Sequence, residues 1–190
     1  MEMLAEGMIT SELADLPGRA SVPTEYLEQR WYAAYTCANH EKRVAEQLMR
    51  RGVEQFLPLY DSVRRWKDRR VKLQLPLFPG YVFVRLALRD RLKLLQVPRV
   101  VRLVGFNGLP AVLPDREIEA LRTSMATRIR TEPHPYLTIG RRVRIKCGPL
   151  EGVEGILIRK KNALRVVLSI DLIMRSASVE VDAGDVERIP

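Results

Sequence analysis

Phe78-Pro79-Gly80-Tyr81-Val82-Phe83-Val84 is the stretch on which the reading of this chain turns. Proline fixes one backbone dihedral and glycine frees the next from a Cβ, so Phe-Pro-Gly makes a rigid turn. Residues 81–86 are apolar at nearly every position, as in a strand buried on both faces. The turn lets Phe78 and Tyr81 flank one shallow apolar hollow, whereas Phe83 reads as core.

Upstream, residues 31–36 are aromatic-rich and strand-like. Asn39 is placed to cap a helix over residues 40–51, with Glu41 in its first turn and Gly52 as its stop. Val44 with Leu48 and Ala45 with Met49 form i,i+4 pairs on one helix face. Residues 56–60 and 71–75 read as strands flanking a basic stretch. Downstream come a short helix over 89–96 and a strand over 99–104, ending in the turn Gly105-Phe106-Asn107-Gly108. Pro114-Asp115 then opens a helix whose Ile118, Leu121, Met125 and Ile129 form an apolar stripe. Residues 31–130 therefore read as one α+β domain.

Thr131-Glu132-Pro133-His134-Pro135-Tyr136 breaks the pattern, because two prolines within three residues stop any helix. Residues 131–139 read as a linker. Beyond it the period changes to two: Val143 and Ile145 alternate with Arg142, Arg144 and Lys146. Strands are expected over 153–160, 163–170, 176–182 and 185–189, with Lys161-Asn162 as a tight hairpin. Five short strands without a long helix predict a small closed β-barrel over residues 140–190.

The chain has 190 residues, 32 Lys+Arg against 23 Asp+Glu and 46% apolar side chains, an ordinary globular composition. No apolar run approaches the ~20 residues of a membrane helix, and the acidic start is unlike a signal peptide. A cytoplasmic protein is expected. Cys37 and Cys147 stand far apart without a CxxC, which excludes a disulfide scaffold and a four-cysteine zinc site. Charge is uneven: residues 1–30 carry 2 basic and 6 acidic side chains, residues 31–130 carry 20 and 9. The first thirty residues read as a flexible or weakly helical acidic extension. The basic block points to a polyanion as neighbour: nucleic acid, or a protein already sitting on it.

Catalysis finds little support. Cys37-Ala38-Asn39-His40 sets a thiol and an imidazole at a helix mouth, but no third group orients the base. No phosphate-cradling glycine loop or paired-carboxylate motif appears, and neither metal nor cofactor is expected. Arg64-Arg65-Trp66-Lys67-Asp68-Arg69-Arg70-Val71-Lys72 holds six cations, one anion and one aromatic. Two readings fit it equally: phosphate contacts with stacking, or a solvated hairpin whose cations guard a strand edge.

Trp31-Tyr32, Phe78-Pro79-Gly80-Tyr81-Val82 and Val97-Pro98-Arg99-Val100 resemble the signature of the NusG-type amino-terminal domain. Val143-Arg144-Ile145, Gly148-Pro149-Leu150-Glu151-Gly152 and Gly155 resemble a KOW motif, in the same order and at the usual separation. The resemblance covers about residues 30–190. It implies an antiparallel sheet flanked by helices, followed by a five-stranded SH3-like KOW barrel. It further implies a non-enzymatic elongation and antitermination factor, possessing a hollow for the clamp helices of the largest RNA polymerase subunit. Tyr35, Phe78, Pro79, Tyr81 and Val97 fall where the family lines that hollow. Lys42 and Arg43 begin the helix that faces non-template DNA, and Arg64, Arg65, Lys67, Arg69 and Arg70 add a basic arm beside it.

In the second domain Ile170-Asp171-Leu172-Ile173-Met174-Arg175 puts four apolar residues in a loop, a pattern that marks either a partner site or a loop folded back. The family uses this loop to contact termination factor Rho or a ribosomal small-subunit protein, which makes Ile170, Leu172, Ile173 and Arg175 the candidates. The approach Leu75-Pro76-Leu77-Phe78 is similar to specialised RfaH-like or capsule-operon paralogues. No membrane contact is implied, and a monomer is expected. The alternative reading is an RNA- or ribosome-binding KOW protein.

Some specialised relatives fold the second domain into a helical hairpin that masks the polymerase site. Here Val166, Val167, Ile170, Ile173, Val179 and Val181 are β-branched and oppose helix, so strands and an open hollow around Tyr81 are expected.

Overall fold

The computed structural model describes residues 26–66, 69–137, 139–160 and 163–189. Residues 1–25, most of the acidic extension, lie outside them, as do Lys67 and the expected hairpin at Lys161-Asn162.

The first half runs β1 (Arg30–Thr36), α1 (Glu41–Arg50), β2 (Glu54–Phe56), β3 (Leu59–Trp66), β4 (Arg69–Pro76) and β5 (Tyr81–Leu86). It continues through α2 (Arg91–Leu95), β6 (Val100–Leu103), β7 (Gly105–Phe106), β8 (Leu109–Pro110) and α3 (Asp115–Ala126). Four of these strands make an antiparallel sheet in the order β2-β5-β1-β6, while β3-β4 and β7-β8 are separate two-stranded hairpins. Alternation along β1 sends Trp31 and Ala33 to one face, with Phe83 of β5 and Ile118 and Leu121 of α3. Tyr32, Ala34, Val82 and Val84 go to the other face, against Val44, Ala45 and Leu48 of α1 and Leu94 of α2. Each of these fully buried large side chains contributes roughly 1.5–3 kcal/mol.

Helix ends differ from expectation. Asn39 does not cap α1: its φ of 62° puts it in the left-handed bend before the helix, and His40 holds the cap position without a side-chain bond to the helix's first turn. Helix α3 starts after Pro114 as expected but stops at Ala126, short of the half-buried Ile129, and Arg128 turns the chain at a φ of 55°.

The second half runs β9 (Thr131–His134), β10 (Arg141–Ile145), β11 (Glu154–Lys160), β12 (Ala163–Ile170), β13 (Arg175–Val181) and β14 (Val186–Arg188). These strands form one open antiparallel sheet in the order β14-β10-β11-β12-β13-β9. The expected closed five-stranded barrel is therefore not formed. Ring closure needs the outer edge of β13, and the segment read as a linker occupies that edge as a sixth strand.

Its prolines explain how. Glu180 N–H donates to Arg130 O at 3.1 Å, and alternation along the ladder turns Glu132 and His134 toward β13. Pro133 and Pro135 then fall at positions facing away, where a missing N–H costs the ladder nothing. As expected, the described residues within 155–180 hold strands, with a short 3-10 turn over Asp171–Ile173, and form no helical hairpin.

Helix α3 is the wall shared by the two halves. Its Ile118 and Leu121 belong to a buried cluster that continues through Trp31, Phe78 and Phe83 on one side and Val143, Leu150, Val166, Leu168 and Ile170 on the other.

Candidate docking and nucleic-acid sites

The Phe78–Tyr81 turn is closed by Tyr81 N–H on Phe78 O at 3.1 Å, with Gly80 at a φ of 85° as a type II turn after proline requires. Two further bonds pin it. Gly80 O accepts Thr36 N–H at 2.8 Å, and Gly80 N–H donates to the buried Glu41 carboxylate at 2.7 Å. A Cβ on Gly80 would meet the Tyr35 ring at 3.4 Å, so glycine also allows the close approach of that aromatic.

Above the turn Tyr35 and Tyr81 are cross-strand partners whose rings lie 5.5 Å apart and tilted by 51°. The Arg102 guanidinium sits 5.9 Å from the Tyr35 ring. Tyr35 is 39% exposed, Pro79 is exposed and Tyr81 half-buried. These three make an aromatic rim.

Two residues expected to line the hollow do not reach the surface. Phe78 is 1% exposed, edge-on to Phe83 at 5.7 Å, and forms the floor beneath the rim. Val97 is also buried, but in the cluster on the opposite face of the sheet, with α1 and α2. It belongs to neither floor nor rim.

The basic residues divide between two elements. Lys42 and Arg43 are exposed on the first turn of α1. Arg64 and Arg65 fall on β3, Lys67 lies outside the described residues, and Arg69 and Arg70 are exposed at the start of β4. Backbone register sets Arg65 opposite Arg70. Lys42, Arg43, Arg69 and Arg70 have no ion-pair partner among the described residues. The hairpin's base leads through Leu77, whose N–H donates to Pro58 O at 2.9 Å, straight into the Phe78 turn.

The apolar loop of the second half folds inward. Ile170 and Ile173 are buried and Leu172 packs on the common core, so these are not free partner-binding positions; Arg175 and Met174 are exposed. Asp171 lines a cleft of about 750 Å³ with Glu117 and Ala120 of α3, and accepts the Tyr136 hydroxyl at 3.1 Å. Burial first, then the charge of Asp171, pushes the Glu117 carboxyl up to about 7, with Arg116 opposing.

Two residues that hold the site in place carried no sequence signal for that role. Glu41 read as an ordinary first-turn acid. Arg122 of α3 lies 4.8 Å over Trp31 and 5.6 Å over Phe56, and pairs with Glu54 at 3.0 Å, fastening α3 to the sheet. Chemistry finds no constellation: His40 Nδ1 is engaged with Ala38 O rather than with Cys37, and no group of metal-ligating side chains exists among the described residues. No described helix is long and apolar enough to cross a membrane.

A family model described as "Transcription termination factor nusG" matches residues 29–122. The transcription termination/antitermination protein NusG of Vibrio vulnificus is 29% identical over 186 residues, covering 87% of this chain and 99% of the relative. The chain belongs to the NusG family. The protein of the same name from Lactococcus lactis is 28% identical over 176 residues, covering 85% and 94%. A solved structure on domain interaction in Thermotoga maritima NusG aligns at a TM-score of 0.53 and 24% identity, covering 87% of this chain and 99% of that one, which shows a common fold. NusG-family proteins are non-catalytic transcription factors, and this member has the family's general role in transcription elongation and antitermination.

Proposed function

We propose that this NusG-family chain docks on the clamp helices of the largest RNA polymerase subunit through the rim of Tyr35, Pro79 and Tyr81. The observation that carries this reading is the exposed Tyr35–Tyr81 pair on a turn held by three backbone-directed bonds. Such a rim is amphipathic and already ordered, so docking costs little conformational entropy. Phe78 acts beneath it as support. Docking favours the closed clamp over the paused state to the extent that the chain binds the closed form more tightly.

Lys42 and Arg43 on α1, with the β3-β4 arm, supply cations to the exposed non-template strand. The arm enters the turn directly, so phosphate contacts and polymerase docking lie side by side. Residues 170–175 recruit the further partner, a ribosomal small-subunit protein or Rho, with the exposed Arg175 as the contact position. Ile170 and Ile173 shape the loop from inside.

Co-purification from lysate tests the reading. Retention of core RNA polymerase on the immobilised chain is expected. Retention of ribosomes without polymerase would favour an RNA- or ribosome-binding role instead.

A further inference from the structure

We propose that the open end of the second sheet, where Arg141 and Arg159 flank Leu157 and Leu164, binds a nucleoside phosphate. This site lies apart from the aromatic rim and does not rest on polymerase docking.

Register places the four residues on one face. Arg141 of β10 pairs with Leu157 of β11, and Arg159 of β11 pairs with Leu164 of β12. Directly opposed residues share a face, as do alternate residues of one strand, so both arginines stand beside both leucines. Helix α3 lies over the middle of that face, where Val143, Val166 and Leu168 are buried in the common core with Ile118 and Leu121. Its end stays open. There Arg141, Leu157, Ile158, Arg159 and Leu164 line a pocket of about 270 Å³. The two arginines are exposed and the two leucines half-buried. Ile139, 85% exposed two residues before Arg141, adds apolar surface at the same end.

Charge sets this end apart from the rest of β10. Arg142 and Arg144 alternate onto the opposite face and are neutralised there. Arg144 holds Glu154 at 2.6 Å with Glu187 nearby, and Arg142 lies 3.6 Å from the same Glu154 carboxylate. Arg141 and Arg159 have no carboxylate partner among the described residues. They are diagonal neighbours across β10 and β11, a spacing of about 7–8 Å at the backbone. Two guanidiniums so placed repel each other, and one anion between them relieves both.

The pocket's floor selects which anion. Guanidinium presents paired N–H donors that match phosphate oxygens. A bare inorganic anion gains nothing from Leu157 and Leu164, whereas a ribose and base shed water against them. A base also stacks on a guanidinium plane. A nucleoside phosphate satisfies both parts, its phosphate between the arginines and its sugar and base over the leucines. The small volume limits the contact to one nucleotide, either free or within a single strand.

Amide-shift titration of the full chain tests this, read at residues 141, 157–159 and 164. The probes are uridine 5′-monophosphate, a hexauridylate strand and inorganic phosphate. The mononucleotide should give saturable shifts at these amides, with inorganic phosphate at least tenfold weaker. Arg141→Ser and Arg159→Ser should each weaken nucleotide binding about tenfold, the loss of a charge-assisted bond. Arg142→Ser, on the opposite face, should leave it unchanged. Tighter binding of the hexauridylate at these same amides makes a strand the source of the nucleotide; binding no tighter makes it the free molecule. Absence of saturable shifts, inorganic phosphate binding as well as the nucleotide, or native affinity in both folded Arg141→Ser and Arg159→Ser variants would overturn the proposal.

Discussion

Glu41, the first residue of α1, accepts the backbone N–H of Gly80 at 2.7 Å from a position 3% exposed to solvent. One buried carboxylate thereby couples the helix carrying Lys42 and Arg43 to the turn carrying Tyr81. The two surfaces assigned to polymerase and to DNA are registered on each other through this bond.

Glu41→Ala should accordingly destabilise the first half by about 2–3 kcal/mol, since it removes a charge-assisted bond and orphans a buried N–H. Glu41→Gln, which keeps an acceptor, should lose less. Denaturant unfolding of both variants checks the order; equal stability of Glu41→Ala and the native chain would show that the bond does not hold the turn.

The basic arm makes a separable prediction. Replacing Arg64, Arg65, Arg69 and Arg70 by Ser should weaken binding to exposed non-template DNA in the transcription complex. Each lost phosphate contact should lower the log–log salt slope by about 0.7 on single strands. An unchanged slope would make the arm a solvated edge. Polymerase affinity in the absence of nucleic acid should stay within about twofold.

Glu117 gives the contact between the halves a pH dependence. Its carboxyl, ordinarily near 4.5, is pushed up to about 7 in the packed state by burial and by Asp171. The groups facing it are Asp171 and the Tyr136 hydroxyl from the second half, and Arg116 from its own helix. A raised carboxyl holds its proton in the packed state where the separated state has lost it. Packing is therefore strongest below pH 4.5 and weakens as pH rises through 7, with little further change above about 8. The loss should be about 1–2 kcal/mol, less than full linkage because the carboxyl is half-open to solvent. Thermal unfolding at pH 5.5, 6.5 and 8 should show the fall in the native chain and a flatter profile in Glu117→Gln.

Patterns decided within a few residues were legible in the sequence. The apolar run of β5, the Val44/Leu48 face of α1 and the alternation of β10 all follow from local periodicity. What failed depends on distant partners. Whether β13 closes a ring or accepts β9 is decided by the competition of two strands for one edge, and two prolines at alternate positions read as a break. They mark an edge strand instead. Aromatic clustering identified the Phe78–Tyr81 turn, yet rim and floor are separated only by the packing of Phe83, which buries Phe78 and leaves Tyr35 open. Ile170 and Ile173 read as a partner loop because nothing local shows that α3 lies against it. The roles of Glu41 and Arg122 were invisible for the same reason: each acts across 39 or 68 residues of chain.

The affinity of core RNA polymerase for folded Tyr35→Ala and Tyr81→Ala variants tests the docking assignment most directly. Aromatic anchors at the centre of an interface typically contribute about 2 kcal/mol or more, which is roughly a 30-fold change in Kd. Each variant should lose about that much, and more than any single substitution of Lys42, Arg43, Arg69 or Arg70. Native affinity in both variants, with their amide spectra otherwise unchanged, would contradict it and place the polymerase contact elsewhere on the chain.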